Sequence, residues 1–145
     1  MDFIRIIKSK TELVGTAYME LLPGPYLEQC WNDGSLFFEE EVFAYLEPVI
    51  QRHVPDYDHY AFTEIAASKW ECIVSDLRLL EANLESSESV QELNAAVGFL
   101  FPSTKVPFAE NFQANKRALA RLLHEVCAWI SSKALSHECV TVLGI

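Results

Sequence analysis

Apolar positions recur most regularly after Ser68, where Trp70, Ile73, Val74, Leu77, Leu80 and Leu84 fall on one helical face. Ser68-Lys69-Trp70-Glu71 has the spacing of a capping box, so a helix is predicted from Ser68 to about Glu85. A longer stripe of Phe108, Phe112, Leu119, Leu122, Leu123, Val126, Ile130 and Ala134 predicts a C-terminal helix reaching Leu135, about seven turns long. Leu13, Val14, Ala17, Tyr18 and Leu21 suggest a helix over Thr11–Leu22 with Thr11 as N-cap, stopped by Pro23-Gly24-Pro25. Another turn or two is predicted for Tyr26–Trp31, then a turn at Asn32-Asp33-Gly34-Ser35. From Ser35, the stripe Phe38, Val42, Tyr45, Leu46, Val49 and Ile50 predicts a helix that Pro48 kinks or splits after Glu47 and that ends before Pro55. A second capping box, Ser89-Val90-Gln91-Glu92, opens a short helix closed by Gly98, and residues 99–107 form an apolar connection.

Phe3–Ile7 fits either a short strand or a helical turn, and Cys139–Leu143 has strand-like composition. The expected fold is therefore a mainly α, single-domain helical bundle over residues 1–145 with a long C-terminal helix. A small β pairing of residues 3–7 with 139–143 would make it α+β.

At 145 residues and 50% apolar content the chain is long enough to bury a core without disulfides or metals. No apolar run is long enough to cross a bilayer, and Met1-Asp2-Phe3-Ile4-Arg5 does not read as a secretory signal. With Cys30, Cys72, Cys127 and Cys139 widely spaced, reduced thiols and a cytoplasmic location are expected.

Charge changes the picture more than composition does. The net charge is −10, which disfavours nucleic acid as a direct partner. Residues 28–64 hold nine acids against Arg52 alone, together with eight of the chain's seventeen aromatic residues. A solvated helix face is one reading of such a run. A protein-facing surface is the other, because rings supply buried area and cation–π faces while acids pair with Lys or Arg. Its contact residues would be Glu39, Glu40, Glu41, Asp56, Tyr57, Asp58, Tyr60 and Glu64. Within it, Asp56 also suits ordinary turn chemistry after Pro55, and Tyr60 and Phe62 suit a plug between helices.

Five dispersed glycines form neither a dinucleotide fingerprint nor a P-loop, and no Gly-x-Ser-x-Gly occurs. His124-x-x-Cys127 and His137-x-Cys139 offer soft ligands for zinc, but without a Cys-x-x-Cys or a second helical histidine. Asp56-x-Asp58 fails as an EF-hand, with Ala61 and Ala67 at the positions of the required glycine and glutamate. No cofactor is expected. A metal-dependent hydrolase using Asp56, Asp58 or Glu64 remains a second alternative, after a helical adaptor or oligomerisation domain.

Leu46-Glu47-Pro48, Pro55-Asp56-Tyr57-Asp58, Thr63-Glu64-Ile65, Trp70 and the closing Leu143-Gly144-Ile145, in a small acidic chain, resemble bacterial immunity proteins of polymorphic and contact-dependent inhibition toxin systems. The resemblance is one of overall character, with no diagnostic motif. It implies a non-enzymatic inhibitor that binds a cationic toxin domain, such as a nuclease, and it carries over no site residues.

Overall fold

The structure, a computed structural model, describes residues 4–89, 92 and 108–145. Its centre is a four-stranded antiparallel sheet of β1 (Tyr18–Pro23), β2 (Leu36–Glu39), β3 (Phe62–Ala66) and β4 (Cys139–Leu143), in the order β2-β1-β4-β3. The main helices are α1 (Glu40–Phe43), α2 (Glu47–His53), α3 (Ala67–Ser86) and α4 (Phe112–Ser136), the last preceded by a separate helical turn over residues 108–110, so the long helix expected from Phe108 starts after Asn111. It is an α+β fold, which corrects the expected mainly α bundle.

Predicted and observed helices agree where one face alone is apolar. On α3, Trp70, Ile73, Val74, Leu77, Leu80 and Leu84 are all buried. On α4, Leu119, Leu122, Leu123, Val126 and Ile130 are buried against them. The helices run antiparallel: Lys116 near the start of α4 donates to the Ser87 carbonyl just past α3 at 2.7 Å. Each fully buried Leu, Ile or Val contributes roughly 1.5–3 kcal/mol relative to exposure, so this layer supplies much of the driving force. The Trp70 indole N–H donates to the Val140 carbonyl at 3.0 Å, fixing the start of α3 on β4. Ser68 does not cap α3; Ala66, the last residue of β3, is the N-cap, so the strand sets where the helix starts.

Prediction fails where both sides of a segment are covered. Met19 and Leu21 face the helices, while Glu20 and Leu22, which alternate with them, are also buried on the opposite, outer face. Two-sided burial hides the period-2 alternation of a half-buried strand, so Tyr18–Leu22 passes for helix. Among the described residues before it only Lys10–Glu12 is helical, a single 3-10 turn capped by Ser9 and not by Thr11. Leu36-Phe37-Phe38 is likewise strand, Phe37 being covered on the outer side. No helix forms over 26–31, whereas the turn at Asn32–Ser35 does, with the Ser35 N–H donating to the Asn32 carbonyl. The helix expected from Ser35 begins only at Glu40, and it divides before Glu47, placing Pro48 in the first turn of α2, where a missing N–H costs little.

Residues 139–143 are a strand, but they pair with β1 and β3 and not with the N-terminus. Ile7 instead bridges Phe37 through two 2.8 Å hydrogen bonds. In the second predicted capping box, Ser89 Oγ accepts from the Glu92 N–H at 3.2 Å; the short helix expected after it, its end at Gly98 and the 99–107 connection lie outside the described residues.

Beyond β4 the pairing continues. The Gly144 N–H donates to the Ala61 carbonyl and the Ile145 N–H to that of His59. A Cβ on residue 144 would sit 2.3 Å from the His59 oxygen and 2.6 Å from that of Ala61, both backbone atoms. Gly144→Ala is therefore expected to destabilise the protein by about 1–3 kcal/mol, the range for overpacking. Urea denaturation at constant slope checks this, and an unchanged midpoint would refute the close approach.

Candidate functional site

The helices cover one face of the sheet. The outer face is crossed by residues 24–35, held down by one polar side chain from each of three strands. Glu20 of β1 is the principal tie: its Oε1 accepts from the Trp31 N–H at 2.6 Å, and its Oε2 from the Asn32 N–H (3.1 Å), Asn32 Nδ2 (3.0 Å) and Ser35 Oγ (2.6 Å). Thr141 of β4 donates to the Gly24 carbonyl at 2.7 Å. On β3, Glu64 Oε2 accepts from the Tyr26 N–H at 3.0 Å, and the Tyr26 ring packs on Phe62 at 4.9 Å. This strap holds Glu28 and Trp31 at φ of 63° and 64°, left-handed values that cost a residue with a side chain on the order of 1 kcal/mol or more.

Between strap and sheet lies a recess of about 450 Å³. Its floor follows from strand register. Glu20 pairs with Leu143 and Leu143 with Phe62, giving one row; Tyr18, Ile145 and Tyr60 continue the same registers into the next. Cys30 and Trp31 of the strap overhang it, with Tyr18 and Trp31 edge to face at 6.5 Å. Tyr60 and Phe62 are 67% and 46% exposed, so aromatic surface faces solvent here.

A second polar cluster positions the strip that forms the recess edge. Glu47 is 2% exposed and accepts from the Tyr57 hydroxyl at 2.5 Å. His59 Nδ1 lies 2.7 Å from Glu47 Oε2, and its Nε2 lies 2.8 Å from Glu40 Oε1. With a carboxylate at each ring nitrogen, both nitrogens act as donors in the imidazolium. Burial alone would lower the His59 pKa, but hydrogen bonds to Glu40 and Glu47 and their charges raise it overall. Burial, then the Glu47 charge and hydrogen bond, push the Tyr57 hydroxyl far above its ordinary range, so it stays protonated.

The predicted contact residues divide accordingly. Glu41, Asp56, Asp58 and Glu64 are exposed, and Glu39 is half-buried beside Tyr18 on the outer face. Asp58 also accepts from the Tyr60 N–H at 2.8 Å, which sets the turn leading into the recess. Tyr60 presents its ring to solvent. Glu40 is drawn to His59, and Tyr57 is buried at 6% exposure, its hydroxyl committed to Glu47. Tyr18, Glu20, Trp31, Glu47 and His59 were not predicted as site residues. The available signal was a lone acid in each of two apolar runs, Met19-Glu20-Leu21 and Leu46-Glu47-Pro48.

Cys127 is buried with its thiol 3.9 Å from the Val74 carbonyl, whereas His124 is exposed and 3.5 Å from Glu81. Among the described residues no group of three or more His, Cys, Asp or Glu side chains is placed to hold a metal ion. Burial raises the pKa of Cys30, Cys127 and Cys139, in Cys127 to about 11, which is the reverse of thiolate activation. Among the described residues, no helix is long and apolar enough to cross a membrane. Comparison of the chain with family models, curated proteins and solved structures finds no match.

Because its pKa is raised on folding, His59 contributes stability that is fully present below the unfolded value near 6.5 and is lost as pH rises through the folded value. Glu40→Gln removes one raising partner. An NMR titration should place the His59 pKa above 6.5 in the wild type and lower in Glu40→Gln, with the stability loss moving to lower pH; identical titrations would show that Glu40 does not act on the ring.

Proposed function

We propose that this chain is a non-enzymatic inhibitor of the immunity-protein kind, acting in the cytoplasm by binding a cationic protein, a toxin domain such as a nuclease. The observation that carries the reading is the conjunction of exposed carboxylates at Glu41, Asp56, Asp58 and Glu64 with the exposed rings of Tyr60 and Phe62. Acids at a rim steer association and exclude like-charged partners, while aromatic rings supply the desolvated contact. Against a nuclease, these carboxylates would stand where substrate phosphates otherwise do. Tyr57, Glu47 and His59 contribute indirectly, by holding residues 59–61 in place.

An adaptor working through an apolar helix face has less support: the exposed large apolar side chains of α3 and α4 are Leu79 and Leu135, one on each helix. Scattered single residues of this kind are ordinary on a surface.

Affinity capture on the immobilised wild-type protein should retain a basic protein that is released as ionic strength rises. Glu41→Lys/Asp56→Lys, at exposed acids that tie down no backbone among the described residues, should weaken its retention by about tenfold. Retention unaffected by both salt and charge reversal, or a tight salt-insensitive homodimer by light scattering, would overturn the reading.

A further inference from the structure

The recess on the outer face contains a carboxylate that no cation among the described residues balances. Glu20 is 1% exposed, its four hydrogen bonds come from neutral donors, and it makes no ion pair among the described residues. Three of those bonds fall on Oε2 and one on Oε1, so Oε1 has capacity for a further donor. Its field reaches the recess: after burial, the Glu20 charge is what raises the pKa of Cys30, which lines the same space. Around that carboxylate stand the rings of Tyr18, Trp31, Tyr60 and Phe62, from two strands, the strap and the turn before β3. Solvent-exposed rings beside an uncompensated carboxylate are complementary to a cation that is itself flat and weakly hydrated. A volume of about 450 Å³ is within the range of small-ligand sites and exceeds what a single side-chain head needs.

We propose that this recess receives a guanidinium group, the side chain of one arginine of the cationic partner, stacked on the rings and directed towards Glu20. The inference rests on the binding reading above and gives it an anchor point. Arginine fits better than lysine because its planar head can stack on an aromatic face and still donate in plane to a carboxylate, whereas an ammonium keeps its hydration more strongly. The acids at Asp56 and Asp58 would then steer the partner, and the recess would fix its register.

Ethylguanidinium and its neutral isostere ethylurea, titrated into the full-length protein, test this through the indole N–H resonance of Trp31. The expected result is a saturable shift with ethylguanidinium in the millimolar range and binding of ethylurea at least about tenfold weaker, the combined loss of the ring contacts and of the charge-assisted bond to Glu20. Tyr60→Ala and Phe62→Ala, both at exposed rings, should each weaken ethylguanidinium by about 2- to 5-fold while the α3 and α4 amide resonances stay in place. Equal binding of the two probes, no saturable shift, or tighter binding of butylammonium would overturn the proposal. Glu41→Lys/Asp56→Lys lies outside the recess and should leave ethylguanidinium binding within about twofold of wild type under physiological screening. Partner capture and recess binding can therefore fail separately.

Discussion

A single buried carboxylate, that of Glu20, determines what the outer face of this sheet becomes. The helices cover only one face, and an antiparallel sheet of this kind commonly leaves the other to water. Here Leu22, Phe37 and Leu143 are buried on that second face as well, and Glu20 secures the strap that crosses it. Burying a charge is costly unless it is hydrogen-bonded, and four donors from Trp31, Asn32 and Ser35 offset that cost while leaving Oε1 with a single partner. The dependence is mutual, since Asn32 and Ser35 are themselves buried polar residues whose donors need this acceptor.

The opposite wall of the recess has its own polar anchor. Glu47 and Glu40 grip the two nitrogens of His59, and the His59 and Ala61 carbonyls accept from the chain beyond β4. Gly144 admits that approach where any side chain would collide with backbone. Two buried acids, each inside an otherwise apolar run, thus place aromatic side chains on one surface. Of the exposed acids around them, Asp58 and Glu64 also hold backbone amides, while Glu41 and Asp56 make no such tie among the described residues.

What could be read from the sequence follows from how each segment is buried. The α3 and α4 stripes are legible because only one side of each helix is covered, so six apolar positions of α3 keep a 3.6-residue period. β1 and β2 are not legible because Glu20, Leu22 and Phe37 are covered by the strap and the N-terminal segment, which erases alternation. β4 is recognisable by composition, but its partners depend on which strands the tertiary fold leaves adjacent, and Leu143 meets Glu20 and Phe62 from far along the chain. The same applies to the site. Asp56, Asp58, Tyr60 and Glu64 stand out as a local cluster, whereas Glu20, Trp31 and Ile145 converge only through register. Tyr57 shows the opposite error: its acidic neighbours suggest a surface ring, yet its hydroxyl completes a buried pair.

The most direct test is amide hydrogen exchange in wild type and Glu20→Gln, since exchange reports local opening residue by residue. Glutamine removes the charge and turns a donor towards donors. If the carboxylate holds the strap, the Trp31 and Asn32 amides should lose protection in Glu20→Gln while those of α3 and α4 keep theirs. Unchanged protection at Trp31 and Asn32, or an equal loss across sheet and helices, would contradict the role assigned to Glu20.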